Sequence, residues 1–438
     1  MGPECRRFHE ATKHTAERLR DAPVRLDWDC FPSPYREYED VPVVDLPAAP
    51  PPPEATAWDV MRGHLGTAAT SQGSLWLSQL FFYSAACSAR KSTATGIRYE
   101  LRVNPSSGNL HPTEIHFAAS GLPGWSDGLY HYRPRTHAVE RRAAGHYGFP
   151  GQLTIILSTI PWREAWKYGD RAYRYCLLDA GHLAESIRLA ARALGHEVSI
   201  LPADTMDTSH LRLSAEEWPL LAMVLGGAAP KASLQDWAGG NCSPYPLPSE
   251  VVQSVHAASS GALRSFSAGG PPAGGRSFSE TVRTRRSALD FSGGDMSLGQ
   301  LAALLTLLVG PAYLFVHRVT GLAPGLYRYT PSRDLERIRD GDQRVAAAGL
   351  SLRQDLAGNA CVLFSLFSTF SEGYRGAHME AGAAGQRLYI GAEALGLQAT
   401  GIGAFFDDRV WEYCGSPDAE PVYHFAVGHA IPDERLLA

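Results

Sequence analysis

The chain has 438 residues, 45% hydrophobic and 19% charged, the balance of an ordinary soluble globular protein with room for two or three separate cores. A formal net charge of −5 excludes broad nucleic-acid binding, which needs a basic face to neutralise phosphates. The seven cysteines (5, 30, 87, 176, 242, 361 and 414) are scattered, odd in number and lack a CxxC pair, which excludes a disulfide framework and predicts free thiols in a reducing cytoplasm.

Residues 1–55 read as an N-terminal extension, with a short helical pattern at His9–His14 and an extended Pro50–Pro53 run. Met1–Arg20 mixes charge with apolar residues and has no signal-peptide core. No apolar run in the sequence approaches the ~18 residues of a membrane span. Residues 56–238 form a first domain. Helical spacing begins near Ser74, with Leu77, Leu80, Phe81 and Ser84 on one face. Arg98–Val103 reads as extended, Asn104–Asn109 as a break rich in turn residues, and Glu114–Ala119 and Leu153–Thr159 as strands. A long helix over 175–194 follows from Leu177, Ala180, Leu183, Ile187, Ala191 and Leu194, with Gly195 as its C-terminal cap. Its packing face is rich in alanine, so a neighbour must come close; a tight core and a helix–helix interface both satisfy that. Residues 239–277 are rich in Gly, Ser and Pro and predict a flexible linker. Residues 278–438 form a second domain, with a helix from Ser297 carrying Leu301, Leu304, Leu305 and Leu308.

The two domains repeat each other. Tyr173, Arg174, Ala180, Gly181, Ala191, Ala193, Leu194 and Gly195 recur as Tyr374, Arg375, Ala381, Gly382, Ala392, Ala394, Leu395 and Gly396, all at an offset of 201. Gly128–Pro134 (GLYHYRP) mirrors Gly325–Pro331 (GLYRYTP), and Pro219 and Gly226 mirror Pro421 and Gly428. A period near 200 residues means duplication of a whole domain, and a fused pair of this kind behaves as a covalent dimer.

Four segments carry polar chemistry. Arg285-Arg286-Ser287 offers two guanidiniums and a hydroxyl that suit a phosphate, or form an ordinary basic patch. Pro105-Ser106-Ser107-Gly108-Asn109 offers hydroxyls, a carboxamide and accessible backbone for the polar edge of a flat ring, or is a surface turn. Gly401-Ile402-Gly403 lets a backbone N–H meet a ligand, and Phe406 stands where a dinucleotide fingerprint needs its third glycine. Lys167-Tyr168 can act as a proton-transfer pair if its environment lowers the pKa values, or is a solvated helix start. His111 and His116 read as local hydrogen-bonders rather than metal ligands.

Taken in order, PSSGN, GLYHY, KYGDRAYR, LLDAGH, GIGAFF and AVG resemble the FMN-dependent nitroreductase-like proteins, nearest to the SagB/ThcOx-type azoline dehydrogenases. The resemblance covers roughly 74–228 and 278–430 and implies an α+β fold of two nitroreductase-like domains fused as a pseudo-dimer, with FMN in the interface. It implies that Arg285, Arg286 and Ser287 hold the phosphate, although Leu289 replaces the last expected basic residue. It further implies that Pro105, Ser106, Ser107 and Asn109 line the ring, that Gly401, Ile402 and Gly403 face flavin N5, and that Lys167 and Tyr168 are catalytic. Each half lacks what the other keeps, so one composite site is expected. The implied activity is oxidation of a peptide-like or heterocyclic substrate in natural-product biosynthesis, with hydride passing to the flavin and a proton to Lys167 or Tyr168, possible partners being other biosynthetic enzymes. An NAD(P)H-dependent reductase of nitro, quinone or enone compounds and a non-catalytic scaffold of a peptide-modifying complex are the alternatives.

Overall fold

In the computed structural model, residues 1–21, 25–68, 73–92, 96, 98–227, 233–237, 242, 245–269, 275–330 and 332–437 are described. The first half builds an antiparallel sheet from β1 (Thr113–Ala119), β2 (Gly128–Arg133), β3 (Ala138–His146), β4 (Leu153–Thr159), β5 (Ser199–Pro202) and β6 (Trp218–Leu225), in the order β3-β2-β1-β4-β6-β5. Val43–Asp45 and Ser233–Trp237 add to β3. The second half builds β7 (Ala312–Val316), β8 (Gly325–Tyr329), β9 (Leu335–Asp340), β10 (Val362–Ser368), β11 (Gln398–Ile402) and β12 (Glu420–Gly428), in the order β9-β8-β7-β10-β12-β11. The two orders match position by position, as the sequence repeat requires; Pro331, the last residue of the GLY repeat, lies outside the described residues. Both expected strands of the first half form, as β1 and β4.

Five helices matter for the site: α1 (Pro3–Ala11), α2 (Trp162–Tyr168), α3 (Ala172–Ala193), α4 (Glu250–Ala257) and α5 (Gly373–Ala394). α3 is the long helix expected from the alanine-rich pattern, and Gly195 follows it at φ +86°, a conformation open to glycine. Every residue of α3 is buried. Its close neighbour is α5, its counterpart in the other half. A Cβ on Gly181 would stand 2.0 Å from the Met379 carbonyl oxygen, and one on Gly382 would stand 2.0 Å from that of Leu178. The alanine-rich face is therefore a helix crossing between the halves, with the repeated glycines at the contact.

The extension gains detail and one expectation, the flexible linker, changes. The extension is packed: α1 starts at Pro3, where a first-turn proline fits, and Phe8 is buried edge-on against Tyr173 and Tyr374, the repeated pair. Among its described residues, the linker over 239–277 is anchored by buried side chains. α4 is capped by Ser249 and buries Val252 and Val255. Beyond it Leu263, Phe266 and Ala268 are buried, and the Arg387 guanidinium lies 3.9 Å from the Phe266 ring centre. Glycine and serine content predicted flexibility, but these spaced apolar anchors decide the outcome. Within the Gly269–Gly275 run, residues 270–274 lie outside the described residues.

Candidate active site

The loop after Arg98–Arg102 turns through left-handed backbone at Gly108, Asn109 and His111, with φ of +60°, +60° and +46°. Gly108 lets it meet α2. A Cβ there would lie 2.9 Å from Tyr168 Oη and 3.2 Å from Lys167 Nζ, so the Lys-Tyr pair and the Pro105–Asn109 loop share one place. Lys167 sits in the last turn of α2, partly buried, rather than at a solvated helix start. The Tyr168 ring packs edge-on against Tyr175 of α3, centres 4.9 Å apart. Burial, reinforced by Glu164, Tyr175 and Asp179, pushes the Tyr168 phenol well above its ordinary range. The lowered pKa that would make a phenolate base is thus absent; Tyr168 stays a neutral hydrogen-bond donor.

The second half supplies the facing wall. Arg285 is 3% exposed and reaches across the halves, donating from Nε to the Val103 carbonyl at 3.0 Å and from Nη2 to that of Arg102 at 3.2 Å, just before the loop. Its Nη1 is buried without a partner. Arg286 donates to the carbonyls of Arg283, Arg285 and Ser88. Burial, with Arg285 and Arg283 beside it, lowers its pKa to about 10. Arg283, Arg285 and Arg286 donate to backbone carbonyls, and among the described residues none of them forms an ion pair, so the cluster presents unneutralised positive charge. Ser287 pairs with Ala399 of β11, and its hydroxyl lies 2.8 Å from Tyr389 Oη, which also accepts the Gly401 N–H at 3.1 Å. The Arg-Arg-Ser segment and the glycine segment therefore run side by side. The Gly403 carbonyl accepts from Arg171 at 3.1 Å and Tyr175 at 3.2 Å, which ties it to the Lys-Tyr half.

Not every predicted residue faces the cleft. Ile402 is buried in the second half's core with Phe405 and Ala288, so only its backbone is available. The Asn109 side chain donates from Nδ2 to the Glu100 carbonyl and accepts at Oδ1 from His111 Nε2, and Asn104 Nδ2 contacts the Pro105 carbonyl. The Ser106 and Ser107 hydroxyls donate to Asp179 of α3 rather than outward, leaving their oxygens as acceptors. Ser106, Ser107, Gly108, Lys167, Tyr168, Arg286, Ser287, Gly401 and Gly403 nevertheless all keep some exposure. His116 hydrogen-bonds Glu217 at 2.7 Å, in line with a structural role. Sequence reasoning missed Tyr389, Tyr175 and Asp179. Asp179 carried a signal: its counterpart at the repeat offset, Glu380, is also a carboxylate.

The corresponding region of the other half is occupied differently. There a cavity of about 270 Å³ is lined by Gly310, Ser368, Thr369, Glu372, Glu380 and the connector's Arg264. The Arg264 N–H donates to Glu380 at 3.2 Å and its guanidinium pairs with Glu372, while Arg387 pairs with Glu380 at 2.9 Å. The connector thus adds Arg264 to the wall of the region opposite the composite site.

Comparison with known proteins bears on the fold that carries this geometry. Residues 326–429 match the Nitroreductase family. A candidate nitroreductase of Methanocaldococcus jannaschii is 28% identical over 135 residues, covering 28% of this chain and 68% of that protein. A candidate nitroreductase of Anabaena variabilis, solved by crystallography, superposes with a TM-score of 0.77 at 25% identity, covering 98% of this chain and 99% of its own. The chain has a nitroreductase-like fold of mixed helix and sheet throughout, and its second half carries a nitroreductase-family domain, which marks a nitroreductase-like oxidoreductase. Among the described residues no helix is long and apolar enough to cross a membrane.

Proposed function

We propose that the chain is a fused pseudo-dimer that binds one FMN between its halves and oxidises a peptide-like, azoline-type substrate. The observation that carries this reading is the convergence of Arg285–Ser287 and Gly401–Gly403 from one half with Gly108, Lys167 and Tyr168 from the other. The residues suit FMN: Arg285 Nη1 is a buried donor without a partner in a cluster of unneutralised guanidiniums, which is what a phosphate answers. Arg285, Arg286 and Ser287 would hold the phosphate, Ser106 and Ser107 would border the ring, and Gly401 and Gly403 would let backbone approach it. When bound, FMN supplies the two-electron acceptor.

The protein's own groups do the rest. Tyr168, a neutral phenol, donates a hydrogen bond to the substrate and orients it, and Lys167 beside it, in its deprotonated form, takes the proton from the carbon being oxidised. Asp179 and Arg285 fix the loop that closes the site. Anaerobic mixing of the flavin-loaded protein with an azoline peptide, and separately with NADPH, tests the direction. Bleaching of the flavin by the azoline peptide supports the reading. Rapid bleaching by NADPH alone favours the reductase, and a protein that never retains flavin favours the scaffold.

A further inference from the structure

Beneath the Pro105–Asn109 loop lie two buried carboxyls that the proposed reaction leaves unused. Asp179, 4% exposed, accepts from Ser106 Oγ at 2.5 Å, from Ser107 Oγ at 3.1 Å and from the Ser107 N–H at 3.0 Å. Ser106 Oγ accepts in turn from the His111 N–H at 2.8 Å, so Asp179 organises both ends of the turn. Glu164 of α2 is fully buried, neither of its oxygens has a hydrogen-bond partner, and Asp179 is the neighbouring charge that acts on it most. It lies one helical turn before Lys167 and Tyr168, so its side chain shares their face.

We propose that Glu164 and Asp179 form a proton-sharing carboxyl pair that positions the Pro105–Asn109 loop against Lys167 and Tyr168. Two neighbouring carboxyls in a dry site do not both ionise. Burial raises Glu164 far above the carboxylate range and lifts Asp179 to about 7, so the shared proton rests on Glu164 while Asp179 ionises near neutrality. The groups that act on the pair are Lys167 and Tyr168 from α2, Cys176 from α3 and Tyr423 from β12. The counterpart Glu380 is instead neutralised by Arg387 and held by the connector. Both are positioning residues. Their role in turnover rests on the reading of the site given above, whereas the anchoring does not.

Hydrogen exchange at the Ser107 amide, resolved by mass spectrometry on protein stripped of cofactor, tests the anchoring directly. In the unmodified protein, protection should rise as pH passes upward through about 7, because the Asp179 carboxylate accepts better than the acid. Asp179→Asn should exchange at least about tenfold faster, with no such rise, since an amide cannot accept all three bonds. Glu164→Gln keeps a donor and should keep the midpoint; Glu164→Leu removes it and should move the midpoint up. If Asp179→Asn fails to fold, the Ser106→Ala, Ser107→Ala double variant removes the hydroxyl anchors and should show faster exchange at His111. Unchanged protection in these loop variants, or identical midpoints for the two Glu164 variants, would overturn the pair. Failure to bind FMN would instead sink the functional reading and leave the exchange result intact.

Discussion

Gly382→Ala tests whether the two halves are held by a glycine-mediated helix crossing. In an ordinary helix interior this change stabilises by up to about 1 kcal/mol, because alanine loses less backbone entropy. Here the new methyl would stand 2.0 Å from the Leu178 carbonyl oxygen, whereas an unstrained contact needs more than 3 Å. Backbone, not a flexible side chain, is in the way, so α3 and α5 must separate by about 1 Å along an interface of fully buried residues. Overpacking of this kind costs about 1–3 kcal/mol, and the opened seam adds lost contacts. A net loss of about 2 kcal/mol remains after the propensity gain. Gly349→Ala is the matched control: Gly349 lies in the helix Arg344–Leu350, and a Cβ there meets nothing within 4 Å. Thermal unfolding followed by circular dichroism should show Gly382→Ala melting several degrees below the unmodified protein and Gly349→Ala at or above it. Equal stability of the two variants would refute the crossing.

Arg285→Ala should weaken FMN retention at least about tenfold, since a charge-assisted hydrogen bond is worth roughly 1.5–3 kcal/mol; equilibrium dialysis checks it, and unchanged flavin content would remove Arg285 from the site. The Lys167→Ala, Tyr168→Phe double variant should lose roughly 10²–10⁴-fold in turnover while flavin stays bound and dithionite-reducible. Near-full activity would make the pair scenery. His182, buried at the helix crossing between Gln386 and Tyr423, has its pKa lowered by burial to about 3. A histidine held neutral in the fold but free to protonate when unfolded withdraws stability as pH falls from about 6.5 toward 3. Denaturant titrations of His182→Gln should show a shallower loss across that window.

The duplication was legible because it is written in identities at a fixed offset, and the matching strand orders follow from it. The long helices were legible from apolar spacing, and their crossing from small residues that recur as Gly181 and Gly382. That Arg285–Ser287, Gly401–Gly403, the Pro105–Asn109 loop and Lys167-Tyr168 belong to one site was an expectation from the resemblance and from which half kept which part. What stayed hidden depends on contacts far apart in sequence. Composition could not show that Val252, Val255, Leu263 and Phe266 pin the connector. Nor could it show that the Ser106 and Ser107 hydroxyls turn to Asp179, because a hydroxyl's direction is set by its nearest acceptor, 72 or 73 residues away. The protonation of Tyr168 was likewise out of reach, since it is fixed by burial and two neighbouring carboxyls.

One composite site per chain should hold one flavin per chain. Protein saturated with FMN, freed of excess by gel filtration and then denatured, should release about one FMN per chain by absorbance. Two tightly bound flavins would contradict a single site per chain. None would contradict the composite site itself.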